Sequence, residues 1–180
     1  MIWGRWGGGA ATITRSGGGS VTQLDLSSRS LHYIFAGTQS GPVALPLTGT
    51  GVYEVIGSTR PTDISGHVGA LNSATLDANF TNRTVSATVN IAINGQTWNG
   101  SATNMPIYRD QYFGTFSGAP IPGNPNPAPL LLTCTPSCGQ RATGSFDGFF
   151  AGRSGQRAGM MYNMGGNQGA VAFGRRGGGG

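Results

Sequence analysis

Apolar and polar residues alternate most clearly between residues 73 and 104. Along Ala74–Phe80 the even-numbered positions are apolar, and after Thr81-Asn82 the apolar positions become odd-numbered, along Val85–Ile93. The parity changes again after Asn94-Gly95. Because strand side chains alternate between two faces, each change of parity marks a reversal of the chain. The pattern therefore predicts a three-stranded antiparallel meander with one buried face.

The two turns of this meander also set its register. A two-residue Asn-Gly loop favours a type I′ hairpin, and a similar turn is expected at Thr81-Asn82. The opposite pairs that these turns predict are Ile93 with Gln96, Ile91 with Trp98, Val89 with Gly100, Ala78 with Val85, and Leu76 with Ala87.

Shorter alternating stretches occur on both sides of the meander. The further predicted strands are Leu31–Ala36, Gly51–Ile56, Gln111–Phe116, 144–150, 160–164 and 171–173. Residues 117–129 contain five prolines and are expected to form an extended loop, because proline cannot lie in a central strand. No helical period longer than two turns occurs. The whole pattern predicts an all-β fold, a single antiparallel β-barrel of about eight strands in up-and-down order.

The organisation along the chain is predicted as three segments. These are a glycine-rich N-terminal segment with a possible first strand (1–30), the barrel domain (31–174) and a flexible glycine-rich tail (175–180). We expect Ile2–Trp6 to pair with Val171–Gly174 of the same molecule, because a closed barrel needs its first and last strands to meet. Exchange of that strand with a neighbouring copy is the alternative, and it would build a dimer or a fibre. The start does not resemble a signal peptide, and we expect an excised fragment with an added methionine.

Composition narrows the possible functions. The 180 residues include 33 glycines, only 9% are charged, and all eleven basic residues are arginine. The lack of lysine excludes a P-loop and Schiff-base catalysis. Apart from Arg175-Arg176 the arginines are scattered singly, with no basic stripe of interleaved aromatic residues. We therefore predict no nucleic-acid binding, and the lack of a long apolar run predicts no transmembrane segment.

Groups able to perform catalysis or hold a metal are sparse. His32 and His67 are interpreted as structural residues rather than metal or haem ligands. No two of the six acidic residues lie closer than nine positions, and Asp77 and Asp147 are interpreted as outward strand positions rather than a glycosidase pair. Around Ser154 the second glycine comes one place too early for a nucleophile elbow. We predict a non-enzyme with no catalytic residues, no metal and no cofactor.

Cys134 and Cys138 are the two cysteines. No second cysteine pair or nearby histidine completes a four-ligand metal site. We predict a local disulfide between them, which is typical of an oxidising compartment, with two free thiols as the alternative. The closed loop is so short that the bridge would restrain little of the unfolded chain.

Two turns carry the candidate binding residues. Tyr108, Arg109 and Tyr112 lie at one turn, and Arg153 and Arg157 lie at another. Arginine and tyrosine are enriched at binding hot spots, and loops on a rigid scaffold often carry recognition groups. We predict that these five residues contact a partner; turns that bind nothing specific are the alternative.

A set of large side chains falls on one face of the predicted strands: Trp98, Phe146, Phe150, Met160, Tyr162 and Phe173. A small eight-stranded barrel either fills its interior with side chains or holds one small ligand. We interpret this set as filling the core. A ligand cavity is the alternative, and it would make the protein a carrier of a small apolar ligand or haem.

The run Gly144–Gly159 resembles the signature hairpin of transferrin-binding-protein-like β-barrels, in which a Gly-x-Phe strand runs into Phe-Gly-Pro-x-Ala-x-Glu-x-Gly-Gly. Phe149-Phe150 matches its aromatic start, and Ala158-Gly159 matches its glycine pair. Gly152 stands in place of the proline, and Gly155-Gln156 in place of the usual acidic positions. Further similar segments are Gly69–Phe80, Gly169–Gly174, Pro61–Asp63, Gln96–Ser101 and Cys134–Cys138. Together they look most like the barrel appended to bacterial proteins with a FecR-type domain.

This resemblance implies an eight-stranded barrel in the envelope of a Gram-negative bacterium, in the periplasm or on the outer cell surface. The family includes surface lipoproteins that bind host iron proteins, haem carriers and barrels of unknown role, so the ligand is left open. We expect a non-enzymatic protein-interaction or assembly module with an unidentified protein partner. A small-ligand carrier and a subunit that self-associates by strand exchange are the alternatives.

Overall fold

The computed structural model describes residues 1–14, 21–36, 45–46, 48–109, 114–117, 130–137 and 143–177. This described part contains thirteen β-strands, a short 3-10 turn at Arg153–Gly155, and no α-helix. The strands are β1 Ile2–Gly7, β2 Ala10–Thr14, β3 Val21–Asp25, β4 Ser30–Phe35, β5 Thr50–Ser58, β6 Ala70–Asn79, β7 Thr84–Ile93, β8 Gln96–Arg109, β9 Gly114–Ser117, β10 Leu130–Thr135, β11 Gly144–Ala151, β12 Arg157–Met164 and β13 Asn167–Arg175.

Eight of these strands form a nearly closed antiparallel barrel. Around the ring their order is β5, β6, β7, β8, β9, β11, β12 and β13, and β13 pairs back with β5. Strands that follow each other in the chain thus lie side by side in the ring, except that β10, which comes between β9 and β11 in the chain, lies outside it. The predicted fold class, an all-β up-and-down barrel of about eight strands, is confirmed.

Two short strands pair with the long strand β8, and one of them, β9, closes the ring. β9 pairs with the last residues of β8, at 107–109, and with residues 147–149 of β11. β10 pairs with the earlier residues 97–102 of β8. Among the described residues β10 forms no ladder with β11, so the wall is complete at one end and only partly closed at the other.

The central meander has the predicted register. All five expected pairs occur across the ladders between β6, β7 and β8. Asn94 and Gly95 both have positive φ angles, 49° and 72°, as a type I′ turn requires. The even and odd parities therefore place one continuous apolar set on the inner face of the wall.

The inner faces of the strands meet in one hydrophobic core. The six large side chains assigned to this face are at most 6% exposed and belong to that core: Trp98, Phe146, Phe150, Met160, Tyr162 and Phe173. Phe150 also makes ring contacts with Tyr53 and Phe80 at centroid distances of 5.7 and 5.6 Å. The core-filling interpretation is confirmed for these residues.

The strands of residues 2–14 and 21–35 form a hairpin on the outer wall instead of completing the ring. β1 pairs with β4, and β2 pairs with β3 beyond it, so the two ladders nest within one long hairpin. The expected pairing of Ile2–Trp6 with Val171–Gly174 is wrong. Both edges of β13 are already occupied, by β12 on one side and β5 on the other.

Small residues on the outer wall make room for this hairpin. The Trp3 indole lies against Gly57 of β5 so closely that a Cβ there would overlap the ring. Ile34 lies in the same way over Gly159 of β12, where an added Cβ would be 2.9 Å from its Cδ1 atom. Ala170 and Ala172 of β13 are fully buried. The hairpin is therefore seated in a shallow groove built of glycine and alanine.

A buried histidine joins the hairpin to the barrel. Nδ1 of His32 lies 2.8 Å from Oγ1 of Thr59, and Nε2 lies 2.8 Å from Oγ1 of Thr62. Burial, with a smaller contribution from the positive charge of Arg5, lowers the pKa of His32 to about 4. The imidazole is therefore neutral at physiological pH, in agreement with a structural role.

Candidate binding surface

The barrel gathers distant arginines at one of its ends. In an up-and-down barrel every second connection lies at the same end, so the turns after β6, β8 and β11 share one end with the start of β5 and the end of β13. Six of the nine described arginines lie at this end, which we call the arginine rim: Arg83, Arg109, Arg153, Arg157, Arg175 and Arg176.

The rim includes most of the predicted binding residues. Tyr108 and Arg109 end β8, with the Tyr108 side chain partly buried. Arg153 lies in the 3-10 turn, and Arg157 begins β12. Tyr112 lies outside the described residues, as do the side-chain positions of Arg109 and Arg153. The structure thus brings the backbones of the two predicted turns to the same end of the molecule.

A cavity of about 600 Å³ opens at this rim. Its lining residues are Ser154, Gln156, Arg157, Arg175, Arg176 and Gly177. Only Arg157 of this set was a predicted binding residue. Arg175 and Arg176 were notable in the sequence as the one adjacent pair of arginines. The antiparallel ladder joins them to Arg157, because Arg157 lies opposite Gly174.

Two of the three cavity arginines are held in place by the barrel. The Arg175 guanidinium lies 5.4 Å from the centre of the Phe80 ring and donates a hydrogen bond of 2.8 Å to the carbonyl of Thr50. Nε of Arg176 donates to a carboxylate oxygen of Glu54. These contacts hold the two guanidinium groups at the rim.

Arg157 has a different environment. Its guanidinium lies across Gly174, where an added Cβ would be 2.8 Å from Nη1, and Ile56 flanks the same glycine. Among the described residues no acceptor or carboxylate pairs with the Arg157 side chain. Its guanidinium, which carries five N–H donors, is therefore free of a described acceptor.

The 3-10 turn that walls the cavity is tied to the core. The hydroxyl of Tyr53 donates a hydrogen bond of 2.6 Å to the carbonyl of Gly155. Burial raises the pKa of Tyr53 to about 12, although the charge of Arg175 opposes this shift, so the hydroxyl keeps its proton. Gly155 has a φ of +67°, and Leu45 packs closely against it. These contacts hold Ser154 and Gln156 beside the arginines.

An apolar surface lies on the outward side of the N-terminal hairpin. Ile2, Trp6 and Phe35 are each more than half exposed, and the rings of Trp6 and Tyr33 are 4.9 Å apart. We call these four residues the hairpin face. Patches of this kind on soluble domains mark interaction sites more often than chance would give. The sequence did not predict this face, because β1 and β4 pair across more than 20 intervening residues.

The remaining candidate groups do not form a metal-ligating cluster in the described part of the chain. His67 pairs with Asp63 on the surface, with 2.7 Å between Nδ1 and Oδ2. No group of three or more described histidine, cysteine or acidic residues could hold a metal ion. Cys134 lies on β10 opposite Trp98, and Cys138 lies outside the described residues, so their disulfide stays a prediction.

In the described part of the chain, no helix is long and apolar enough to cross a bilayer. Comparison with protein-family models, curated proteins and solved structures finds no match to this chain. The resemblance to transferrin-binding-protein-like barrels therefore stays a prediction from the sequence.

Proposed function

We propose that this protein is a non-enzymatic interaction module, which binds an acidic surface of a partner protein through the arginine rim. The observation that carries the proposal is the meeting of the two predicted recognition turns at one end of the barrel, around a cavity lined by Arg157, Arg175 and Arg176. Clustered charge of one sign speeds the approach of an oppositely charged partner and fixes its orientation.

The apolar hairpin face would add area to this contact. Ile34 lies over Gly159 of β12, while Arg157 and Ile56 flank Gly174 on the neighbouring strand. The open end of the hairpin, with Ile2 and Phe35, thus points toward the arginine rim. An apolar area beside a charged rim is a common composition for a protein interface.

The two alternative functions have less support. A carrier would have to move core side chains, because Phe146, Phe150 and Met160 are fully buried in the interior. Self-association by strand exchange would have to release β1 from β4, with which it forms a complete six-residue ladder.

We also propose that the module works in the envelope of a Gram-negative bacterium, in the periplasm or on the outer surface. This location rests on the sequence resemblance and on the predicted bridge between Cys134 and Cys138.

Capture of a partner by paired variants tests the proposal. The immobilised protein would be incubated with envelope extract from its source, and captured polypeptides would be quantified by mass spectrometry. Arg157→Gln with Arg176→Gln removes two charges from the cavity. Arg29→Gln with Arg60→Gln removes two charges from the opposite end and is the matched control.

We expect the rim variant to lose capture about fivefold or more, since interface arginines commonly contribute more than 1 kcal/mol. The control should stay within about twofold of the unaltered protein, because its arginines lie away from the contact. Equal losses in both variants, or no loss in either, would contradict the proposal. Thermal unfolding of both variants checks that they remain folded.

A further inference from the structure

The chain contains two Asn-Gly dipeptides, and the structure places them in contrasting environments. Asn94-Gly95 forms the exposed turn between β7 and β8, whereas Asn99-Gly100 lies within β8. An asparagine followed by glycine can lose its side-chain amide spontaneously, because the glycine nitrogen, which no side chain shields, attacks the asparagine Cγ atom. The reaction needs no partner, so the local structure decides which dipeptide reacts.

Both reacting groups are accessible at Asn94-Gly95. The two residues are exposed, and an added Cβ on Gly95 would meet nothing within 4 Å. In the described part of the chain, neither the Asn94 side-chain amide nor the Gly95 N–H has a hydrogen-bond partner. Cyclisation requires rotation about the Cα–C bond of Asn94. Opening of the pair Ile93 and Gln96, the last of its ladder, allows this rotation, since the ends of elements open at low cost.

Asn99-Gly100 is held by its neighbours on both sides. Gly100 is buried, and it lies opposite Val89 in the ladder with β7 and opposite Leu132 in the ladder with β10. Its N–H therefore belongs to a strand that is paired along both edges. The side-chain oxygen of Asn99 accepts a hydrogen bond from the amide of Asn90. Cyclisation at Asn99 would require the barrel wall to open around it.

We propose that Asn94 is a spontaneous modification site of the folded protein, converted through a cyclic imide to aspartate and isoaspartate, while Asn99 is protected. In the first step the Gly95 nitrogen forms a bond to Cγ of Asn94, and the side-chain nitrogen leaves as ammonia, taking the proton of the Gly95 N–H. In the second step water adds to one of the two imide carbonyls. Cleavage of the Cγ–N bond gives aspartate, and cleavage of the original backbone C–N bond gives isoaspartate.

The two products affect the turn differently. Aspartate leaves the main chain unchanged, and Asp-Gly suits a type I′ turn as Asn-Gly does. Isoaspartate routes the main chain through Cγ and lengthens the turn by one atom, so the pair Ile93 and Gln96 should open. Both products place a new negative charge at the end of the barrel opposite the arginine rim. The site therefore goes beyond the proposed function, and each can fail without the other.

Ageing of the folded protein in water enriched in heavy oxygen tests the site. Hydrolysis of the imide incorporates one oxygen from the solvent, so the label separates ageing from artefacts of a later digestion in ordinary water. Cleavage after arginine releases residues 84–109 as one peptide that carries both dipeptides, and fragmentation in the mass spectrometer assigns the label to either asparagine. We expect labelled product at Asn94 to form at least about tenfold faster than at Asn99, because opening the end of a turn costs less than opening a ladder.

Protein unfolded in guanidinium chloride is the control. Both sites should react there at comparable rates, because the two dipeptides are chemically alike once the ladders are gone. Equal labelling of Asn94 and Asn99 in the folded protein would overturn the proposal. An unlabelled Asn94 in the folded protein, at a time when the unfolded protein has reacted at both positions, would overturn it as well.

Hydrogen exchange gives a second readout, on the lengthened turn. Freshly prepared Asn94→Asp carries the same new charge on an unchanged main chain and is the matched control for aged protein that contains isoaspartate. Amides around residues 91–98 should exchange faster in the isoaspartate form than in Asn94→Asp, because only the former loses the closing pair of the turn. Equal exchange in the two forms would refute the effect on the turn.

Discussion

At the residue scale, the imidazole of His32 connects the hairpin to the barrel and makes their contact sensitive to pH. Its pKa is about 4 in the folded protein, against 6.5 for an ordinary histidine. The unfolded chain therefore takes up a proton at higher pH than the folded one. The stability supplied by the neutral ring is complete above about pH 6.5 and is lost as the pH falls toward 4.

We expect urea unfolding to show a loss of about 2 kcal/mol between these pH values, after allowance for partial solvent screening of the shift. The pKa values of Asp25 and Asp63 lie below the ordinary 3.8, so these groups titrate under this range. His32→Gln should abolish the loss, whereas His67→Gln should retain it. A stability that stays flat from pH 7 to pH 4.5 would disprove this role.

Tyr162 carries a buried hydroxyl whose removal should not destabilise the protein. Its hydroxyl has no hydrogen-bond partner among the described residues, and burial raises the pKa of its phenol. Tyr162→Phe should leave the free energy of unfolding unchanged or raise it by about 1 kcal/mol. Tyr53→Phe is the matched control and should lower it by about 1 kcal/mol, because it breaks the bond to Gly155. A larger loss for Tyr162→Phe than for Tyr53→Phe would reveal a partner for that hydroxyl.

The oxidation state of the two cysteines tests the proposed cellular compartment. Thiol titration of denatured, unreduced protein isolated from the envelope should detect no free thiols from Cys134 and Cys138. Replacement of both by serine should change stability little, because the loop between them is short. Detection of two thiols would refute the bridge and weaken the proposed location.

At the scale of elements, the docking of the N-terminal hairpin depends on the lack of a side chain at Gly57. Gly57→Ala should displace the half-buried Trp3 indole and cost about 1–3 kcal/mol, because the added Cβ would overlap the ring. Hydrogen exchange of β1 and β4 should then become faster, while the meander β6–β8 keeps its protection. Gly177→Ala is the control, since an added Cβ there meets nothing within 4 Å. Unchanged exchange in Gly57→Ala would show that Trp3 does not hold the hairpin.

The elements also show what the sequence can predict. The meander register followed from the change of parity at Asn94-Gly95, because a two-residue turn leaves only one pairing consistent with a buried face. The pairing partner of β1 could not be predicted in the same way. Pairing of Ile2–Gly7 with Ser30–Phe35 joins strands separated by another hairpin, and nothing local in the sequence distinguishes β4 from β13 as the partner.

At the scale of the whole molecule, the arginine rim results from topology. Arg109, Arg157 and Arg175 stand far apart in the sequence, yet antiparallel connections bring them to one end. The predicted turns identified Arg157, and alternation of turn positions could have added Arg175. The cavity itself could not be predicted, because it depends on the side chains of Phe80, Glu54 and Tyr53 around the arginines.

Hydrogen–deuterium exchange of the protein with its captured partner tests the central claim most directly, namely that the arginine rim is the recognition surface. The account predicts new protection at the rim turns, around residues 79–84 and 151–157, and at the end of β13 near 174–176. The turns at the opposite end, around 59–69 and 93–96, should exchange as in the free protein. Protection confined to those opposite turns would contradict the account.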